Sequence, residues 1–329
     1  MKNLRTNVLM KSCLGAALVG LSLSVAACGA VDPDGNPVAF ENGDEEVASV
    51  SEALTKDFTT PDGRVTVRIK QCGFSATPAS HSSANCAVDS DFVLVGGGAE
   101  VEGNGQDSAL LTESYPSEGL DTWIAKSKDH VDIYLNRLRA YAIGLKIKDI
   151  SATTLRNNMV RIPKTSAQGH WPTAVAELPD GYQLIGGGAR SIWSTKGLLL
   201  TASFPQPGGI AWEARAKDHV LSEQGWVEAF AIGIKKGFSG INLEVVTDTV
   251  TEPTGGGYVT AERQLRSGYV STSIGALSEW SGSGRLLTDM IPFSNYPDLT
   301  RMGAYVTSKD HEVATSGSVT AYVLGVKRL

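Results

Sequence analysis

A Lys-Asp-His triplet occurs three times in the chain, as Lys128-Asp129-His130, Lys217-Asp218-His219 and Lys309-Asp310-His311. Asp and His side by side can ligate a metal or move a proton, and with Lys they can bond sugar hydroxyls and attract acidic groups. No second ligand pair follows at a fixed interval, as a zinc site would require, so no metal is assigned. In Trp212 to Lys217 the residues Trp212, Ala214 and Ala216 alternate with Glu213, Arg215 and Lys217. Continued in phase, that alternation carries Asp218 to the core side and sends Lys217 and His219 outward. An Asp at the inward end of a strand, just before a turn, commonly accepts hydrogen bonds from turn amides. Two readings follow. The triplets are three copies of one turn, or they are three equivalent corners at one rim that bind three ligands and gain by avidity. His81 and His170 lack repeated equivalents, and a role in turns is expected for them.

Tryptophans form a second constellation. Ser191-Ile192-Trp193-Ser194 aligns with Ser278-Glu279-Trp280-Ser281, each in a polar, glycine-bearing stretch, whereas the first copy has Val101-Glu102-Gly103-Asn104 there. An indole in such a place can stack on the apolar face of a pyranose or fold back over the sheet edge. Carboxylates that could serve a glycosidase include Asp129, Asp218, Asp310, Glu113 and Asp289, but a glycosidase needs two at a set separation, which spacing in sequence does not give. There is no Gly-x-Ser-x-Gly elbow, His-Glu-x-x-His or phosphate loop, and Gly96 to Gly98 precede a strand, not a helix. No catalytic residue and no cofactor are assigned.

The elements that hold these residues are written in triplicate. Leu110-Leu111-Thr112-Glu113-Ser114-Tyr115-Pro116 returns as Leu199 to Pro205 and as Leu286 to Pro292. Ala140-Tyr141-Ala142-Ile143-Gly144 returns as Ala229 to Gly233 and as Ala321 to Gly325. Val95-Gly96-Gly97-Gly98-Ala99 matches Ile185 to Ala189, and the third copy keeps Gly275-Ala276. Triplets lie 89 and 92 residues apart, and the prolines 89 and 87, so the four signatures share one period. Period-two alternation makes each copy β, with about five strands. The expected fold is all-β: three homologous units of antiparallel strands with pseudo-threefold symmetry, like a β-prism, or else three small β-sandwiches in tandem. Repeat boundaries fall at 61–149, 150–238 and 239–329.

The start of the chain carries Lys2, Arg5 and Lys11, then an apolar run from Cys13 to Val25, which reads as a signal peptide over residues 1–27. Its end, Val25-Ala26-Ala27-Cys28, resembles the lipobox of bacterial lipoproteins. The resemblance implies that Cys28 is acylated and that the protein is held on a membrane by its lipid. Gly29 after that cysteine implies the outer membrane of a Gram-negative envelope. Residues 28–60 are acidic, with Asp32, Asp34, Glu41, Asp44, Glu45, Glu46, Glu52 and Asp57 against Lys56, and are expected to be a disordered tether. Cys72 and Cys86 remain as an even pair in an oxidising compartment, and a disulfide is expected between them. Removing residues 1–27 takes away three positive charges and no negative one, so the net charge goes from -6 to -9. So acidic a chain, with no basic run, argues against nucleic acid as a partner. The recurring Gly-Gly-Gly-Ala, Leu-Thr-x-Ser-x-Pro and Ala-Tyr-Ala-Ile pattern resembles an uncharacterised module of secreted bacterial proteins. More faintly, it resembles the vitelline membrane outer layer protein I β-prism. Neither likeness carries over a catalytic residue. The expected role is a lipid-anchored envelope binding protein with glycan as ligand, against a purely structural envelope protein or a polysaccharide-degrading enzyme.

Overall fold

Each copy supplies two halves of three strands, four in one half of the first copy, and each half completes a sheet with a half from a different copy. The computed structural model describes residues 54–102 and 109–329. In the first copy the strands are β1 (Leu54–Thr59), β2 (Val65–Gln71), β3 (His81–Ala87), β4 (Val93–Val101), β5 (Leu110–Pro116), β6 (Thr122–Lys128) and β7 (Leu138–Ile147). A short helix, α1 (Ala152–Asn157), opens the second copy. It is followed by β8 (Met159–Thr165), β9 (Thr173–Glu177), β10 (Tyr182–Ile192), β11 (Leu199–Pro205), β12 (Ala211–Lys217) and β13 (Trp226–Lys235). The third copy holds β14 (Leu243–Gly255), β15 (Tyr258–Gln264), β16 (Val270–Trp280), β17 (Leu286–Ser294), β18 (Arg301–Lys309) and β19 (Gly317–Arg328).

The three antiparallel sheets run β1-β2-β7-β4-β17-β18-β15, β3-β6-β5-β10-β13-β8 and β14-β19-β16-β11-β12-β9. Thus the glycine-strand half of copy one joins the Leu-Leu-Thr half of copy three, copy two joins copy one, and copy three joins copy two. The joints are brief and equivalent: Ala99 opposite Met290, Ala189 opposite Ser114, and Ala276 opposite Ser203. No copy closes a sheet with its own strands, so tandem sandwiches are excluded and the pseudo-threefold body stands. The strand count per copy exceeds the expected five because β3, β9 and β15 are added, each paired to the strand that ends in the triplet. Residues 54–59, assigned by composition to the tether, instead form the edge strand β1 against β2, with Leu54, Lys56 and Phe58 on its less exposed face. Cys28 and the lipobox lie outside the described residues.

The repeated motifs have packing causes. Val95, Ile185 and Thr272 each sit at a register shift in the glycine strand, and Thr112, Thr201 and Thr288 at one in the Leu-Leu-Thr strand. A β-bulge bends a strand at that point, and six at matching places curve three sheets around one axis. A Cβ on Gly186 would lie 3.0 Å from Ser273 Cβ, and one on Gly187 would meet the Trp212 indole at 2.3 Å. One on Gly188 would come within 2.7 Å of Ser114 O at the joint between copies. The triplet thus serves the axis, the indole and the neighbouring copy in turn.

Trp123 and Trp212 are buried, and their Nε1–H groups donate to Ser114 Oγ and Ser203 Oγ at 3.0 and 2.9 Å. The third copy abandons the whole set together: Ile274 stands where copies one and two have Gly97 and Gly187, Ala304 where they have Trp123 and Trp212, and Met290 where they have Ser114 and Ser203. With no indole there is no ring to make room for and no N–H to satisfy. Gly187→Ile is therefore expected to cost more than about 3 kcal/mol through overpacking. Adding Trp212→Ala and Ser203→Met should return much of the loss, since neighbouring sites couple. Urea unfolding of the single and triple variants measures this directly, and equal stability of the two would refute the exchange.

Cys72 and Cys86 form a disulfide across a separation of 14 residues. Closing a loop of that length contributes about 3 kcal/mol by restricting the unfolded chain. Among the described residues no helix is long and apolar enough to cross a membrane.

Candidate functional site

The triplets converge on the threefold axis. His130, His219 and His311 are buried with ring centroids 5.7 to 5.8 Å apart. His130 Nε2 bonds the carbonyl oxygen of His219, His219 Nε2 that of His311, and His311 Nε2 that of His130, the last at 2.7 Å. The cycle closes on itself, and each Nε2 must carry the proton. Each carbonyl also accepts from the amide two residues on, from Asp132 at 2.9 Å, Leu221 at 2.5 Å and Val313 at 2.6 Å. The intervening Val131, Val220 and Glu312 have φ of 67°, 58° and 58°, so three γ-turns with positive φ sit side by side. Such backbone is strained in L-residues and persists where its surroundings fix it. Leu110, Leu199 and Leu286 make a small apolar cluster of their own, one from each copy.

The Asp and Lys of each triplet are engaged as well. Asp129, Asp218 and Asp310 accept from the amides of Tyr134, Glu223 and Thr315 at 3.2, 3.2 and 3.1 Å, so each closes its own five-residue loop. Lys128 donates to Lys196 O at 2.8 Å and Lys217 to Ser283 O, each in the loop after the glycine strand of the following copy. Burial lowers the pKa of both amines. Lys309 is buried too, with Nζ 5.6 Å from the Tyr258 ring.

The expectation that Lys217 and His219 face outward is corrected. Lys217 is covered by the neighbouring copy's loop, and the turn after Asp218 rotates His219 into the axis. Although three imidazoles meet, no group of three or more His, Cys, Asp or Glu among the described residues is placed to hold a metal. His170 Nδ1 lies 2.8 Å from Asp218 Oδ2, and His81 Nε2 lies 4.0 Å from Asp129 Oδ1. Both histidines that lacked repeated equivalents therefore sit against a triplet aspartate.

What faces solvent is a set of clefts on the outer surfaces of the sheets. The first, of about 490 Å³, is lined by His81 and Ser83 of β3, Thr112 and Glu113 of β5, Lys126 and Lys128 of β6, and Arg190 and Trp193 from the next copy. Lys126 Nζ bonds Glu113 Oε1 at 3.0 Å, but Glu113 Oε2 is buried with no protein partner. Arg190 is held by Glu228 at 2.6 Å. The loop carrying Trp193 is fastened by Glu223, which accepts from the Thr195 hydroxyl and the Lys196 and Ser194 amides; these bonds hold its carboxyl at about 2.

The second cleft, of about 330 Å³, occupies the equivalent place in the next sheet and is lined by Trp171, Thr173, Thr201, Glu213, Arg215 and Trp280. Lys217 Nζ stands 5.9 Å from the Trp280 ring, and Thr201 Oγ1 is buried without a partner. The register sets His81 opposite Lys128 and Tyr258 opposite Lys309, and Trp171 takes the corresponding place, between Pro172 and His170, whose carbonyls accept from the Ala216 and Asp218 amides on either side of Lys217. Trp193 and Trp280 are half-buried and line the two clefts.

In the third sheet the positions of Glu113 and Arg190 are taken by Asp289 and Glu100. Both are buried. Glu100 accepts from the Tyr141 hydroxyl, from Tyr296 Oη at 3.2 Å and pairs with Arg139 at 3.3 Å. Burial raises its pKa, and burial together with the nearby Glu100 pushes Asp289 up to about 7.

No known family profile and no curated protein matches the chain in sequence. What the clefts do must therefore be read from their chemistry.

Proposed function

We propose that the chain is a lipid-anchored envelope protein that binds carbohydrate in the clefts on its outer faces. The observation that carries this is the first cleft, where an unpartnered buried carboxylate oxygen of Glu113 stands beside Lys126, Arg190 and the Trp193 indole. A sugar ring offers hydroxyls that donate to Glu113 and accept from Lys126 or Arg190, while its apolar face covers the indole. The second cleft repeats the plan with Trp171 and Trp280, and its unpartnered Thr201 hydroxyl also calls for a hydrogen-bonding ligand. Two such clefts on one body favour a polymer with repeated sugars, through effective concentration. The triplets enter this reading as the frame, with Lys128 the member that also lines a cleft. Each cleft is lined by one carboxylate, Glu113 or Glu213, where hydrolysis of a glycosidic bond uses two, so binding is favoured over cleavage.

Oligosaccharides spanning neutral and acidic types, presented to the mature chain, should include at least one that quenches or shifts tryptophan emission. Trp193→Ala and Glu113→Gln should each weaken retention at least about tenfold, as expected for a lost stacking face or charged hydrogen bond. Unchanged retention in both variants, or no retained glycan at all, would refute the proposal.

A further inference from the structure

We propose that the end of the body closed by the histidine ring is a membrane-contact face that docks on lipid. Seven of the twelve large apolar side chains exposed among the described residues lie in the three loops that follow the triplets: Val131, Ile133, Tyr134 and Leu135, then Val220 and Leu221, then Val313. Ile133 is 86 % exposed, Leu135 60 % and Val220 57 %. Because His130, His219 and His311 bond one another, the loops that begin at the next residues are gathered about one axis, and their apolar groups form one cap. Contiguous apolar surface of this kind marks an interaction site, whereas isolated exposed apolar residues are ordinary.

Two further observations choose lipid as the occupant. The first is where the chain enters. Leu54 pairs with Gln71, and Gln71 with Tyr141, which lies three residues into β7 from its loop end at Leu138. Leu54, where the described residues begin, therefore lies at the capped end, and a chain of the 26 residues from Cys28 to Ala53 reaches at most about 90 Å. The second is charge. Residues 131–136, 220–225 and 312–316 contain the exposed Asp132 and Glu312, the buried Glu223 bonded within its own body, and no Lys or Arg. Stacking a second copy end to end would set acidic groups against acidic groups, which disfavours that partner. Apolar insertion into zwitterionic headgroups needs no cations and depends little on salt. This inference rests on the lipid-anchored reading for its biological setting. Acyl chains at Cys28 would hold the protein on the membrane, and the cap would fix which end faces it.

The mature chain from Gly29 onward, which lacks the acylated cysteine and contains every described residue, is mixed with phosphatidylcholine vesicles and sedimented at low and high salt. Co-sedimentation little changed by salt is expected. Ile133→Ser with Leu135→Ser and Val220→Ser should reduce it at least tenfold without moving Tm, because the replaced side chains are exposed. The proposal is overturned if the unsubstituted chain stays in the supernatant, if the variant sediments equally well, or if the same substitutions abolish a dimer seen without vesicles. Incorporation of labelled fatty acid into the full chain, compared with Cys28→Ser, tests the anchor separately. Label absent from both would defeat the lipoprotein reading while leaving vesicle binding by the cap to stand or fall alone.

Discussion

Asp289→Asn is expected to stabilise the protein, by an amount that grows from near zero at about pH 4 to about 4 kcal/mol above pH 7. Asp289 is buried beside Glu100, and the two together with the loss of water hold its carboxyl in the protonated form up to about pH 7. In the unfolded chain it ionises near its ordinary value of 3.8. A carboxyl whose folded pKa is raised binds more protons folded than unfolded between those values, so its linkage makes stability fall as pH rises from about 4 to about 7 and then level off. Asn cannot ionise. Its carbonyl can still accept from the Val101 amide, as Asp289 Oδ1 does at 3.0 Å, and its amide can face the Thr288 hydroxyl 2.9 Å from Oδ2. Urea midpoints of both proteins from pH 4 to pH 8 should diverge with rising pH. Parallel curves would show that Asp289 is ionised or solvated in the folded protein.

The same residue shows how far the sequence could be read. Leu286 to Pro292 announces a third copy, and Asp289 was legible as a carboxylate at the place of Glu113. Its partner Glu100 was not, because it comes from a strand almost 190 residues earlier and meets Asp289 at a joint between copies one and three. Period and alternation report which face of a strand a residue occupies, and are silent on which strand of another copy lies beside it. That is why the clefts were missed while their tryptophans were found: Trp193 and Lys128 reach one cleft from different repeats. β3, β9 and β15 escaped notice for a different reason. They are edge strands with polar stretches such as Ser82-Ser83-Ala84-Asn85, where little apolar pattern marks a strand. The third copy keeps only Gly275-Ala276 of the glycine motif, and Ile274, Ala304 and Met290 together replace glycine, indole and serine. A compensated exchange in the core is invisible until the three positions are known to share a space.

With Asp289→Asn as background, acidification from pH 7 to pH 4 is expected to destabilise the body through the histidine ring. In the wild type the two effects oppose each other, since protonation of Asp289 favours the fold over the range in which the ring is lost. Burial pushes the His130 pKa down to about 4, and burial lowers those of His219 and His311 as well. A histidine with a lowered folded pKa contributes nothing adverse above its unfolded value, near 6.5, and its stability is lost as pH falls toward the folded value. For His130 alone that loss approaches about 3 kcal/mol by pH 4. Near pH 5 unfolding should take up about one proton through His130, with further uptake through His219 and His311, read as the slope of unfolding free energy against pH; a slope near zero would mean the ring is not held neutral.

The geometry gives the reason for the neutrality. Each Nε2–H is already committed to the next copy's carbonyl, and His130 Nδ1 is buried with no acceptor for a second proton. His219 differs in having Ser283 O at 3.2 Å from Nδ1. Three imidazolium rings with centroids under 6 Å apart would repel one another, and each added proton would oppose the next. Loss of the ring would also release the three γ-turns and with them the apolar loops of the cap. Acid should therefore disturb vesicle binding, if the cap performs it, at a pH where the disulfide and the sheets are still intact.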